Sequence, residues 1–189
     1  MVSTMLKRKG LTFSHMGFYV NDVQPMADFY ANVLDFTVTD RGKLNTPHGP
    51  VELVFLSRDP DHHHQIVLAS GRPEHLAFNT INQISLIADS LETLQEFHTR
   101  LQSAPVTEIL PVTHGNALSI YFRDPEGNRI ELYVDLPWYV SQPARVPLPI
   151  ELPREELMAW AENHARSLPG FRPRDEWRRE IAQRMGVTD

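Results

Sequence analysis

A short pattern, a histidine followed by any residue, a small residue and a phenylalanine, occurs twice in this chain. It begins at His15 in SHMGFYVN (14–21) and at His75 in PEHLAFNT (73–80). In each copy the histidine opens a segment in which apolar and polar residues alternate, as in a half-buried β-strand. Because an internal repeat reflects the whole architecture, this recurrence restricts the fold more than any single motif does.

The first half of the chain predicts the order β-α-β-β-β. A strand over 12–21 leads into a helix over 23–34, for which Asn21 or Asp22 can be the cap and Pro25 is tolerated in the first turn. Turn-forming segments then separate three strand-like runs, at 35–42, 51–57 and 65–70.

The second half repeats this order. A strand over 75–80, with a possible continuation through 83–88, precedes a helix that starts after Asp89 or Ser90. Three more strands are predicted at 106–112, 117–123 and 129–134. We therefore predict an α+β fold of two tandem βαβββ modules, about 10–71 and 73–136, within a domain over 1–136. Their strands are expected to curl into a half-open mixed β-barrel around a shared cavity.

The remaining segment, 137–189, has a different character. Five prolines between positions 137 and 153 exclude a regular helix or a central strand there and predict an extended arm. Two helices are expected to follow, one containing Leu157 and Trp160 and the other containing Trp177 and Ile181. Large aromatic residues at helical spacing predict packing on the domain or on a partner subunit.

The composition narrows the class of protein. The chain has 189 residues, 41% of them hydrophobic, no cysteine and a formal net charge of −6. The absence of cysteine excludes a disulfide framework and thiolate ligands, and the acidic balance argues against nucleic acid as a partner. Neither a long apolar run nor an apolar segment after the basic N-terminus is found, so we expect a cytoplasmic protein without a membrane partner.

Three side chains predict a metal site in the shared cavity. His15 and His75 open the first strands of the two modules, and Glu131 lies among apolar residues of the last strand, RIELYV. Burying a carboxylate without a partner is costly, and a divalent cation removes that cost. Two imidazoles and a carboxylate form a facial triad that suits non-haem Fe(II), with Mn(II) as a second candidate. Taken singly, each histidine is better explained as a packed residue; their equivalence favours the metal.

Three further residues are candidates for the same cavity. His64 ends the triplet HHH and leads into a strand, so that its ring can point inward, with His63 as the alternative. His114 lies in the turn THGN, and Tyr121 precedes Glu131 by ten residues, so that a hairpin can bring the two together. His114 is equally well a loop residue and Tyr121 a packed aromatic, and spacing alone does not decide.

These motifs and their order resemble the vicinal oxygen chelate superfamily, whose fold is the paired βαβββ module. The matching segments are HMGFYV from His15, HQIVLA from His64, HLAF from His75, and HGNALSIYFRDPEGNRIELY from His114. Over about residues 10–137 the chain resembles the one-domain type I extradiol catechol dioxygenases, in the group of 2,3-dihydroxybiphenyl 1,2-dioxygenase and catechol 2,3-dioxygenase. DPxGNxIEL is common throughout the superfamily, whereas the joint presence of the histidines and the tyrosine is more specific.

The resemblance implies a site and a reaction. It transfers the metal triad to His15, His75 and Glu131, and the active-site roles to His64, His114 and Tyr121. His64 is then the general acid and base, because an imidazole exchanges protons near neutral pH. The expected activity is Fe(II)-dependent ring cleavage of a catechol such as 2,3-dihydroxybiphenyl, with both atoms of O₂ incorporated, in the catabolism of aromatic hydrocarbons. We also expect a homodimer.

Three other activities share this fold. A fosfomycin-type thiol transferase with Mn(II) needs cationic groups around a phosphonate, and no Lys or Arg follows Glu131 before Arg145. A glyoxalase-type isomerase with Ni(II) or Zn(II) would use His64 as a fourth ligand. A non-catalytic binder of the bleomycin-resistance kind would need no metal triad.

Overall fold

The first module has one helix and four strands among the residues that the structure describes. The structure, a computed structural model, describes residues 12–47, 49–75 and 81–187. Asp22 caps the helix, because its side chain accepts a hydrogen bond from the backbone N–H of Gln24 at 3.1 Å. The elements are β1 (Met16–Val20), α1 (Val23–Asn32), β2 (Thr37–Thr46), β3 (Gly49–Ser57) and β4 (Ile66–Ser70). The predicted order is confirmed in this half.

The second module repeats that order. Its elements are β5 (Ile84–Ile87), α2 (Leu91–Leu101), β6 (Thr107–Thr113), β7 (Ala117–Arg123) and β8 (Arg129–Asp135). Ser90 caps α2 by accepting the N–H of Thr93 at 3.0 Å. His75 itself lies in a turn, and β5 falls within the predicted continuation through 83–88. The predicted strand over 76–80 lies outside the described residues.

The segment after the second module forms short strands and two further helices. Its elements are β9 (Trp138–Tyr139), β10 (Val146–Pro147), α3 (Arg154–Arg166), β11 (Arg172–Pro173) and α4 (Arg174–Arg184). The Nε1–H of Trp138 donates to the carbonyl of Gly115 at 2.6 Å, and Leu157 of α3 is fully buried. The arm therefore packs on its own domain.

The two modules form sheets with the same internal order. The first sheet runs β1-β4-β3-β2, and the second runs β5-β8-β7-β6 with β10 added at its edge. In both sheets the first strand of the module is parallel to the last, and the other pairs are antiparallel. This correspondence confirms the two βαβββ modules, which in the described residues form separate sheets and not a closed barrel.

The strands alternate between the core and an opposite face. In β8, Ile130 and Leu132 belong to the core that also contains Leu94 of α2, so Glu131 between them points to the other side of the sheet. We call the side of the second sheet that carries Glu131 its open face. Among the described residues, no helix is long and apolar enough to cross a membrane.

Candidate active site

Strand pairing places several polar side chains in one row on the open face of the second sheet. Glu131 of β8 is directly opposite Ser85 of β5 on one side and Tyr121 of β7 on the other. Tyr121 is in turn opposite Leu110 of β6. Because directly opposed residues project from the same face, four consecutive strands contribute to one surface. The predicted proximity of Tyr121 and Glu131 is therefore found in the structure.

Glu131 is buried but well supplied with hydrogen-bond donors. Only 7% of the residue is exposed. Its Oε2 accepts hydrogen bonds from the Ser85 hydroxyl at 2.6 Å and from the Gln83 amide at 2.8 Å. Its Oε1 lies 3.8 Å from Nε2 of His114. One oxygen is thus fixed by the neighbouring strand, and the other is directed toward His114.

His114 and Tyr121 form a hydrogen-bonded pair beside this carboxylate. Nδ1 of His114 lies 2.8 Å from the carbonyl oxygen of Ala144, which can only accept, so Nδ1 carries a proton. In the neutral ring, Nε2 is then an acceptor, and it lies 3.0 Å from the Tyr121 hydroxyl. Burial, followed by the hydrogen bond and charge of Glu131, raises the pKa of Tyr121 to about 12. Tyr121 therefore remains a hydrogen-bond donor at neutral pH.

A second group of histidines lies on the first module. The ring centroids of His15 and His64 are 4.2 Å apart, and Phe55 packs against His64 at 5.2 Å. Partial burial and then the charges of His15 and His63 lower the pKa of His64. His64 is the member of the triplet that contacts His15, whereas His62 pairs with the exposed Asp59 at 3.0 Å, as a surface residue does.

The three predicted ligands are not found together in the part of the chain that the structure describes. There, no three His, Asp or Glu side chains form a set able to hold a metal ion. His15 lies beside His64, Glu131 lies beside His114, and His75 is exposed in its turn. The donor types fit a divalent metal, but the described arrangement does not assemble three of them.

Gln83 is a site residue that the sequence pattern missed. It immediately precedes β5, as His15 immediately precedes β1. The helix cap of the first module, Asp22, lies seven positions after His15, and the cap of the second, Ser90, lies seven positions after Gln83. Gln83 is therefore the repeat equivalent of His15 in the structure. Spacing to the helix caps was the signal that could have found it.

Two arginines near Tyr121 were also missed. The guanidinium carbon of Arg129 lies 4.4 Å from the centroid of the Tyr121 ring, and that of Arg145 lies 5.6 Å from it. Arg129 is near in sequence, two positions before Glu131, but Arg145 comes from the arm. Its proximity follows from the pairing of β10 with β6, in which Val146 is opposite Thr113.

The fold and the sequence together define the class of protein. Residues 12–132 match the Glyoxalase/Bleomycin resistance protein/Dioxygenase superfamily, and the chain belongs to that superfamily. The predicted resemblance and the predicted fold are thereby confirmed. More particularly, the chain is 29% identical over 126 residues to biphenyl-2,3-diol 1,2-dioxygenase 2 of Rhodococcus globerulus. That match covers 65% of this chain and 62% of the relative, so the chain spans less than two thirds of its length.

Solved structures agree on the fold. The glyoxylase/bleomycin resistance protein/dioxygenase domain from Frankia sp. EAN1pec has a TM-score of 0.54 at 20% identity, over 69% of this chain and all (100%) of that domain. The fosfomycin resistance protein FosX from Mesorhizobium loti has a TM-score of 0.50 at 22% identity, over 67% of this chain and 92% of that protein. At such identities the likeness concerns the fold alone.

Proposed function

We propose that this protein is a ring-cleaving dioxygenase of the extradiol type, which acts on an aromatic vicinal diol with O₂. The observation that carries this proposal is the row of Ser85, Glu131 and Tyr121, completed by His114, on the open face of the second sheet. It presents a buried carboxylate and two hydrogen-bonding groups to one small-molecule site. The similarity to a biphenyl-2,3-diol dioxygenase supports the same reaction class.

A divalent metal, with Fe(II) as the proposed ion, belongs to this function. His15 and Glu131 are the proposed ligands in the two modules. The third position has two candidates, His75 from the sequence repeat and Gln83 from the position that the structure shows beside Glu131. When bound, Fe(II) supplies the Lewis acidity and the electron-transfer capacity that cleavage of an aromatic ring by O₂ requires.

The remaining residues act by binding and by proton transfer. His64, whose pKa is lowered, is free to accept a proton from a diol hydroxyl at neutral pH. His114 and Tyr121 position substrate oxygens, since the Tyr121 hydroxyl stays protonated and its direction is set by His114. Ser85 and Gln83 hold Glu131, which fixes the carboxylate before the substrate binds.

The decisive experiment is anaerobic reconstitution with Fe(II), followed by addition of O₂ and a panel of diols. The panel contains catechol, 3-methylcatechol, 2,3-dihydroxybiphenyl and 3,4-dihydroxybenzoate. We expect oxygen uptake and a yellow ring-fission product with at least one of them. Absence of both signals over the whole panel, from a protein shown to contain iron, would reject the proposal.

A fosfomycin-type transferase is the second candidate, because Arg129 and Arg145 provide the cationic groups that its phosphonate substrate would need. This activity predicts that fosfomycin is consumed in the presence of Mn(II), with either a thiol or water as the nucleophile. Turnover of fosfomycin without diol cleavage would replace the dioxygenase proposal by this one.

A further inference from the structure

We infer that Arg129 and Arg145 form an anion-binding subsite beside Tyr121, and that the substrate is an aromatic vicinal diol that carries a carboxylate. This inference rests on the proposed function and adds the class of substrate. It is carried by the positions of the two guanidinium groups, by their lack of carboxylate partners among the described residues and by the cavity that they line.

The two arginines reach the same aromatic ring from different parts of the fold. Arg129 is the first residue of β8 and is half-buried, whereas Arg145 directly precedes β10 and is exposed. Their guanidinium carbons lie 4.4 and 5.6 Å from the centroid of Tyr121. A cation above an aromatic ring leaves its N–H groups available for other acceptors, so both arginines can still bind an anion.

Neither arginine is neutralised within the described residues. There, no carboxylate oxygen lies within 4.0 Å of either guanidinium group, whereas Arg123 in the same cavity is paired with Glu108 at 2.8 Å. Glu131, two positions from Arg129, is held by Ser85 and Gln83. Within that part of the chain, the cavity therefore has one balanced ion pair and two guanidinium charges without a carboxylate partner.

The volume and the lining residues of the cavity suit a substituted aromatic ring. Its volume is about 430 Å³, and Leu110, Tyr121 and both arginines line it. This volume lies within the range of about 300–1,000 Å³ for small-molecule sites. Leu110 is 43% exposed and provides apolar surface on the open face.

The orientation of Tyr121 connects this subsite with the active site. Its hydroxyl end meets His114 at 3.0 Å, while the guanidinium carbons of Arg129 and Arg145 lie 4.4 and 5.6 Å from its ring centroid. A diol bound along Tyr121 would place its hydroxyl groups near Glu131 and His114 and its substituent near the arginines. A guanidinium fork matches the geometry of a carboxylate, so we assign the substituent as a carboxylate.

Binding can be measured separately from turnover. Benzoate and benzyl alcohol are titrated calorimetrically into the protein without added metal, and 3,4-dihydroxybenzoate and catechol into the Fe(II)-loaded protein without O₂. We expect each acid to bind at least about tenfold more tightly than its neutral counterpart, as one charged hydrogen-bonding interaction provides. The preference should weaken as the salt concentration rises.

Three variants test the assignment. R129Q and R145Q should each reduce the affinity for the acids about tenfold, and the double variant should abolish the preference while catechol binding changes little. R179Q is the matched control, since it removes the same charge from an exposed position on α4. Thermal unfolding establishes that each variant is folded. Because Arg145 is exposed, R145Q remains informative if R129Q does not fold.

The outcomes separate this inference from the proposed function. Equal binding of acids and neutral compounds, or a preference that survives in the double variant, overturns the subsite even if neutral catechols are cleaved. Arginine-dependent acid binding without cleavage of any diol supports the subsite and rejects the dioxygenase. Arginine-dependent binding of methylphosphonate in preference to benzoate overturns the carboxylate assignment in favour of a phosphonate.

Discussion

At the residue scale, Glu131 shows why a single buried carboxylate organises its surroundings. The residue lies between two core residues of β8, Ile130 and Leu132, and it is tolerated because two donors satisfy Oε2. One of these donors, Gln83, occupies the position in the second module that His15 occupies in the first. Gln83 and His75 are therefore the two candidates for the third metal ligand.

We expect metal binding to depend on Gln83 more than on His75. Gln83 already contacts Glu131 at 2.8 Å, whereas His75 is exposed in a turn. Q83A should therefore lower the iron content after reconstitution and raise the Kd for Fe(II) at least about tenfold, and H75A should stay near the parent protein. Iron analysis and competition with a chelator measure both. E131A provides the reference for a lost ligand. If H75A lowers the iron content more than Q83A does, His75 and not Gln83 is the third ligand.

His64 is predicted to transfer protons and not to bind the metal. H64A should keep the parent iron content but lose turnover by about 10²-fold or more, since general acid–base catalysis contributes that much. H62A is the matched control from the same triplet, because His62 is paired with Asp59 at the surface. Steady-state oxygen uptake and iron analysis are measured on the same samples. A parallel loss of iron in H64A would make His64 a ligand, as in a glyoxalase-type site.

At the element scale, the turn between β6 and β7 connects the active site with the arm. Gly115 follows His114 with a φ of +79°, and a Cβ atom there would lie 2.6 Å from Val140 and 2.7 Å from Leu168. Val140 belongs to the arm, and Leu168 follows the end of α3. The turn therefore requires glycine both for its backbone conformation and for the close approach of the arm.

The substitution G115A should destabilise the protein by roughly 2–4 kcal/mol, because it combines a strained φ with overpacking. G127A is the control, since Gly127 has a φ of +80° and a Cβ atom added there would meet no atom of the described residues within 4 Å. That variant should lose only about 1 kcal/mol from backbone strain. Urea unfolding measures both free energies. Equal losses would show that the contacts with the arm contribute nothing.

Local signals were sufficient for the helices and for most strands of the described residues. Asp22 and Ser90 are recognisable caps, because capping depends on residues within one turn. The strand that pairs with β8 is set by contacts distant in sequence, which place it at Ile84–Ile87, within the predicted continuation over 83–88. The position of Arg145 beside Tyr121 was not predicted for the same reason, because it depends on the pairing of β10 with β6.

At the scale of the whole molecule, the two modules are joined through one turn. Glu126, between β7 and β8, accepts the backbone N–H of Asn21 at 2.9 Å and that of Asp22 at 3.0 Å, at the end of β1. Its Oε2 also lies 3.5 Å from Arg72, and both side chains are less than 20% exposed, at 11% and 17%. A turn of the second module thus fixes the start of α1 in the first.

We expect E126A to destabilise the folded protein by roughly 1–3 kcal/mol, because it removes the carboxylate that accepts the N–H groups of Asn21 and Asp22 and that pairs with the largely buried Arg72 guanidinium. E108A is the matched control, since Glu108 forms an ion pair with Arg123 but its side chain is 66% exposed. An exposed pair of this kind contributes at most about 1 kcal/mol.

Urea unfolding followed by far-UV circular dichroism and by tryptophan fluorescence gives both free energies. Because the three tryptophans lie in the arm and its helices, coincident transitions in E126A would show that the modules and the arm still unfold together. A loss no larger than that of E108A would mean that the core shared by the modules joins them without Glu126.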